Sequence, residues 1–269
     1  MKLISWNVNR SSIKRFKRQL AALQERRPEV VALQEVGKAA GRNARQLLRE
    51  FGFPYGVHSH DFLDGKAPHS SGIAIGSHWP FRVLDPDAFD IPYPQRILSA
   101  ELFAPFGRVE VHSAHVVPGS QYGWDKIDML EGIHEYITDP YEHGHRVLCG
   151  DFNTPKTESP DGEVTFWGQN RDQRWADAER SVVLGLAEHD LADAFRLLNG
   201  YDNDAHSFVL RRKEKEWKRR FDHVFSSKSL NPVEASYLHQ HDEHSDHSPM
   251  EVVFEPIGID SSVPTEGAN

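Results

Sequence analysis

What the chain has little of narrows its identity first. One cysteine, Cys149, stands among 269 residues, so no internal disulfide can form and no disulfide-linked partner is expected. A reducing compartment such as the cytoplasm fits this composition. Cys149 lies in an apolar strand, where it reads as a buried structural thiol and not as a nucleophile. No apolar run approaches the roughly 20 residues that cross a bilayer, so no membrane partner is expected. Met1 to Ser5 passes directly into a strand pattern, which excludes a secretory leader from the expectations. Positive charge is also in deficit. The formal net charge is -9, so no overall field draws nucleic acid to the surface. An enzyme that touches a few phosphates through a local basic patch and metal ions remains compatible with that charge.

What is present is a succession of apolar strands that end in polar side chains. Val147-Leu148-Cys149 runs through Gly150 into Asp151, Phe152 and Asn153. Residues two apart in an extended chain share a side, so Asp151 and Asn153 face one pocket while Phe152 packs the other way. Lys2 to Val8 is a strand carrying Asn7. Ser11 or Ser12 caps a helix through Ile13, Phe16, Leu20 and Leu23, whose Lys14, Arg15, Lys17 and Arg18 form a solvated face. Val30 to Leu33 is a buried strand that delivers Glu35, where α/β architectures often place function. A helix is expected over 42–51, a strand over 71–75, an irregular connection over 80–94 and two strands over 96–103 and 109–117. The second of these carries His112 and His115. A helix over 124–137 precedes the Val147 strand. Leu191 to Phe195 reads as helical, with Asp193 structural. The strand 206–210 leads into an exposed basic run, 211–220, and strands over 221–226 and 250–254 close the set.

Without internal repeats or a linker, the chain reads as one domain, 1–255, and a polar tail, 256–269, expected to be disordered. Strands outnumber helices and several follow one another directly. That favours an α/β fold (α+β in some schemes) of two mixed sheets packed together with helices outside. Carboxylates, Asn and His without a Cys cluster suit a hard oxygen-liganded cation, Mg²⁺ or Mn²⁺, better than zinc. Such a set meets the needs of phosphodiester hydrolysis, in which metal polarises the phosphoryl group, a base activates water and donors hold the developing charge.

Five segments in order carry a resemblance: Ser5-Trp6-Asn7-Val8-Asn9, Leu33-Gln34-Glu35, Gly150-Asp151-Phe152-Asn153, Phe221-Asp222-His223-Val224 and Ser245-Asp246-His247-Ser248-Pro249. With them the chain resembles the endonuclease/exonuclease/phosphatase superfamily of DNase I, exonuclease III and the apurinic endonucleases, over nearly its whole length. The resemblance implies a four-layer α-β-β-α sandwich and a Mg²⁺-dependent phosphodiesterase. It implies Glu35, Asn7 and Asp246 at the metal and Asp151 on the attacking water. Asn153 and His115 would contact phosphate, with His112 close enough to compete for the His115 role, and Asp222 would orient His247, keeping it charged against a phosphoryl oxygen. Arg10, Arg211, Arg212 and Trp217 are the candidate substrate contacts, with Trp217 set two residues further from Asp222 than the apurinic pattern has its aromatic. A His stands where those enzymes usually carry Tyr, and 156–175 has the look of an insertion. A nucleic acid, with DNA foremost, is the expected substrate. A small or lipid-derived phosphate, such as an inositol phosphate or a sphingomyelin-type head group, is the alternative, and a catalytically silent scaffold is a third.

Overall fold

The computed structural model describes residues 1–62, 71–141, 144–168 and 172–257. The expected polar stretch at 58–70 lies outside the described residues from 63 onward, and the expected tail from 258 onward. Two six-stranded mixed sheets face each other. The first runs, edge to edge, through Pro232–Tyr237, Met250–Phe254, Lys2–Asn7, Val30–Val36, Gly72–Ser77 and Tyr55–His58. The second runs through Ala192–Asp193, Asp222–Ser226, His145–Asp151, Gly107–His115, Ile97–Ala104 and Phe81–Val83. Each sheet has one parallel pair at its centre, Lys2–Asn7 with Val30–Val36 and Gly107–His115 with His145–Asp151.

The four layers follow from side-chain alternation. Leu3, Val30, Ala32 and Ile75 of the first sheet pack against Val109, Val111, Val147, Cys149 and Val224 of the second. Their neighbours point outward: Ile4, Trp6, Val31 and Leu33 meet Phe16, Leu20, Leu23 and Leu48 of the helices Ile13–Gln24 and Ala44–Glu50. On the other side Leu148, Phe152 and Phe225 meet Ile127, Leu130 and Ile133 of Asp125–Ile137 and Val182 of Gln173–Val183. Gln34 bridges the two sheets, its Nε2 donating to Ser5 Oγ at 3.1 Å and Ser113 Oγ at 2.9 Å. Ser12 caps the first helix by accepting from the Arg15 N–H, and Lys14, Lys17 and Arg18 are exposed, as the solvated-face reading has it.

The departures from the sequence reading are local. The helix expected over 42–51 is found at Ala44–Glu50, and a short helix before it, Lys38–Gly41, was not expected. All four edge strands go beyond the expectation: Tyr55–His58, Pro232–Tyr237, Phe81–Val83 within the stretch read as irregular, and Ala192–Asp193 within the stretch read as helical, where the helix starts only at Ala194. Edge strands that are short or half exposed to water carry little apolar periodicity. The basic run forms a hairpin, Phe208–Arg212 with Lys215–Arg219, and its last residue, Arg220, is buried. Charged on both faces, the second of these strands lacks the apolar alternation that marks a strand. Asp193 caps Ala194–Asn199, accepting from the Phe195 and Arg196 N–H groups at 3.0 and 3.1 Å, and so is structural as expected.

Candidate active site

The strand ends that carry polar residues meet at one edge of the sandwich. Asn7, His115 and Asp151 are the last residues of their strands and Asp222 is the first of its own. Asp151 is in register with His115 on one side and Asp222 on the other. Glu35 reaches this edge by a different device. Strand alternation would turn it outward with Leu33, but its φ is 51° and the ladder to Gly72–Ser77 shifts register between Leu33 and Val36. The left-handed residue and the bulge together re-aim the carboxylate inward. Asn153 is also left-handed, at φ 51°. Gly150 has φ 138°, and a Cβ there would overlap the Ala114 carbonyl, so both conformation and close approach require glycine.

The side chains converge around Asp151. Asn7 Nδ2 donates to Asp151 Oδ2 at 2.9 Å and to Glu35 Oε1 at 3.3 Å, while Asn7 Oδ1 accepts from the Asn9 N–H at 3.0 Å. The Asn153 N–H donates to Asp151 Oδ1 at 2.9 Å, and Asn153 Nδ2 donates to the Val116 carbonyl at 2.9 Å. His115 Nε2 lies 3.3 Å from Glu35 Oε1 and 3.8 Å from Asp151 Oδ2. His247 Nε2 lies 3.8 Å from the same Asp151 oxygen, and its Nδ1 is 2.7 Å from Asp222 Oδ2. Trp6 Nε1 donates to the His247 carbonyl at 2.7 Å and the Ser245 hydroxyl donates to the Asn7 carbonyl at 2.6 Å, which ties the last motif to the first.

Electrostatics sets the two imidazoles apart. Burial lowers the pKa of His115 well below its usual value, and the Arg96 guanidinium lowers it further, so His115 is neutral. Arg96 donates to His115 Nδ1 at 2.7 Å, closer than its 3.3 Å to Nε2, so Nδ1 is the acceptor and the ring proton sits on Nε2, toward Glu35. Burial also works against the charge on His247, but Asp222 and Asp151 outweigh it and raise its pKa to about 10. Asp151 is raised to about 7, first by burial and then by the Asp222 charge, against the lowering effect of His247.

Other expected site residues stand further out. Arg10, largely exposed, donates Nε to Glu35 Oε2 at 3.0 Å from the rim. Asp246 is exposed beside His247, whose charge it favours, and is not among the contacts that join Glu35 to Asn7 and His115. Arg211 is exposed and paired with Glu216 at 2.7 Å within the hairpin. Trp217, half-buried, stands across from Leu210, two residues beyond the rung at which Arg219 pairs with Phe208. The side chain of Arg212 lies outside the described ones. Sequence reading missed three buried groups. Arg96 fixes His115, while Lys126 donates to the Asn153 carbonyl at 3.0 Å and pairs with Glu179. A charged residue in an otherwise apolar helical face was the available signal for Lys126.

The donor set suits a hard cation. Glu35, partly exposed at 16% of its side chain, and Asp151 bring carboxylate oxygens to one place beside the Asn7 amide. A cation there would relieve the burial that holds Asp151 protonated to near neutral pH. Among the described residues one trio has potential ligand atoms within 4.8 Å of one another, Asp151, Asp222 and His247. A charged His247 has no lone pair to give, so within that trio the carboxylates, and above all Asp151, are the usable donors.

A phosphoester-hydrolase site is the class this geometry defines. The model of the Endonuclease/Exonuclease/phosphatase family matches residues 4–247, and the chain belongs to that family. No curated protein sequence matches the chain closely enough to count as a relative. Among solved structures, an AP endonuclease from Archaeoglobus fulgidus is similar at 21% identity and TM-score 0.71, over 95% of this chain and 99% of that one. A 3' phosphatase, NExo, from Neisseria, bound to a product DNA hairpin, matches at 21% identity and TM-score 0.69, with 95% and 99% covered. TDP2 from D. rerio, complexed with a single-strand DNA product, matches at 15% identity and TM-score 0.64, with 95% and 98% covered. These likenesses establish the fold, as the α/β sandwich of two mixed sheets expected from sequence.

Proposed function

We propose that the chain is a Mg²⁺-dependent phosphodiesterase that hydrolyses nucleic acid, DNA foremost, in a reducing compartment such as the cytoplasm. The observation that carries this reading is one carboxylate oxygen, Asp151 Oδ2, at 3.8 Å from both a neutral and a cationic imidazole. A base must have a pKa near working pH, an oxyanion must meet fixed donors, and both must be held within reach of one phosphorus. Asp151 takes or orients the proton of the attacking water. His247, kept charged by Asp222, donates from Nε2 to a phosphoryl oxygen. His115 donates from its neutral Nε2–H without adding charge, and Asn153 holds a further oxygen. Glu35, Asp151 and Asn7, with Asp246 at the rim, would hold the metal. When bound, Mg²⁺ (or Mn²⁺) supplies Lewis-acid polarisation and offsets phosphate charge. Arg10 and the basic hairpin face the rest of the substrate.

The test is a substrate panel of supercoiled plasmid, abasic, single-stranded and duplex oligonucleotides, RNA, inositol phosphates and a sphingomyelin-type head group, each with Mg²⁺ and with EDTA. Metal-dependent cleavage of a nucleic acid is expected. Release of phosphate or head group from a small substrate, with every nucleic acid intact, would transfer the assignment to that substrate class.

A further inference from the structure

Next to the catalytic edge, a cleft of about 120 Å³ opens between the segment after Asn153 and the Lys215–Arg219 strand. That volume is several times the ~10–15 Å³ that admits one water. Lys156, Glu158, Arg196, Tyr201, Arg219 and Arg220 line it. Most of its charges cancel. Arg220 donates to both Glu158 oxygens and to Asp193 Oδ2, each at 2.7 Å, and Arg196 donates to Glu158 Oε2 at 2.8 Å. Lys218, beside them, is paired with Asp204 at 3.1 Å.

Two cations are left over. Arg219 is half-buried; its guanidinium donates to the Lys218 carbonyl at 3.0 Å and stands 5.9 Å from the Trp167 ring centre. Its Nε is buried without a hydrogen-bond partner, and among the described residues no carboxylate pairs with it. Burial alone lowers its pKa. A desolvated cation without a counter-ion is costly and is relieved by an anion from outside. Lys156, across the cleft, is exposed and has no ion pair among the described residues. The position relative to the reacting centre is close. Pro155 of the lining follows Asn153 by two residues, and Arg219 is the cross-strand partner of Phe208, whose ring lies 4.8 Å from that of His247.

We propose that Arg219 and Lys156 form a subsite for a second, non-scissile phosphate of the substrate strand. The inference rests on the nuclease reading above and adds to it a place for a flanking phosphate. The shared chemistry is a phosphate group, and its source is the backbone of a polynucleotide; a small bisphosphate would present the same group.

The experiment is steady-state cleavage of oligonucleotides that each carry one neutral methylphosphonate at successive positions around the scissile bond. Wild type, Arg219→Gln, Arg219→Lys and Lys156→Gln are compared, with thermal unfolding to confirm that each is folded. One flanking methylphosphonate should raise the wild-type KM by about 10- to 100-fold, the loss of one charge-assisted hydrogen bond. Arg219→Gln should raise KM on the unmodified strand by a similar factor and no longer respond to that methylphosphonate, with Arg219→Lys restoring part of the response. An Arg219→Gln enzyme that answers to every position as wild type does overturns the subsite and leaves the nuclease reading standing. No oligonucleotide cleavage by wild type overturns both. A preference for an inositol bisphosphate over a monophosphate that Arg219→Gln abolishes, without oligonucleotide cleavage, overturns the strand as the source of the phosphate.

Discussion

His115 and His247 each place Nε2 at 3.8 Å from one oxygen of Asp151, yet the first imidazole is neutral and the second is charged. The difference comes from what stands behind each ring. A guanidinium, Arg96, faces Nδ1 of His115, and a carboxylate, Asp222, faces Nδ1 of His247. One residue type thereby supplies two kinds of donor to the same small volume.

Asp222→Asn removes the charge that offsets the burial of His247. The His247 pKa then falls from about 10, and the imidazolium is lost at lower pH. Activity that needs the cation disappears as pH rises through that pKa, so the alkaline limb of kcat/KM should move to lower pH. At pH 8 the rate should drop by about 10²–10³, the scale of one lost oxyanion donor. A pH–rate profile checks both, and an unmoved alkaline limb would count against the pairing.

Metal-free protein should lose stability as pH rises. His247 has a folded pKa raised from 6.5 to about 10, so its contribution is complete below pH 6.5 and is lost as pH passes through 10. Asp151, raised from 3.8 to about 7, acts in the same direction, because ionising it between those values disfavours the fold. In EDTA, Tm should therefore fall between pH 6 and pH 10, and Mg²⁺ should restore more of it at the alkaline end. Thermal unfolding with and without Mg²⁺ across that range is the check.

Lys126→Met leaves Glu179 buried and unpaired, because Lys126 and Glu179 are both buried and paired with each other. Breaking one side of such a pair costs about 3–5 kcal/mol. It also frees the Asn153 carbonyl, so kcat should fall with stability. The double change Lys126→Met with Glu179→Leu should recover much of the stability, because no charge is then left buried. Urea denaturation midpoints of the single and double variants separate the two effects.

Gly150→Ala meets the Ala114 carbonyl and a φ of 138° at once. The expected loss is at least about 2 kcal/mol, the combined scale of strain and overpacking. A variant with the wild-type denaturation midpoint would show that the two sheet-centre strands can part to accept it.

Much of this was legible in sequence where burial dictates residue type. The strand carrying Asn7 was legible from its apolar residues, and the alternation that packs Phe152 outward while Asp151 turns in was legible as such. Glu35 was legible as a residue and illegible as a direction, since its inward aim depends on a left-handed backbone and a bulge. In the charged hairpin the first strand, Phe208–Arg212, was legible in its apolar start, while its partner Lys215–Arg219 was hidden because charged residues dominate it. Arg96 was hidden for the opposite reason. A single arginine before a strand gives no sign that it will be buried against a histidine 19 positions later.

The most direct measurement follows a 5'-labelled duplex with wild type and with Asp151→Asn, side by side, in Mg²⁺ and in EDTA. The predicted result is cleavage by wild type in Mg²⁺ only, and a rate at least about 10³-fold lower for Asp151→Asn, since the base and a metal-side carboxylate are lost together. Cleavage that persists in EDTA, or an Asp151→Asn enzyme as fast as wild type, would contradict the account.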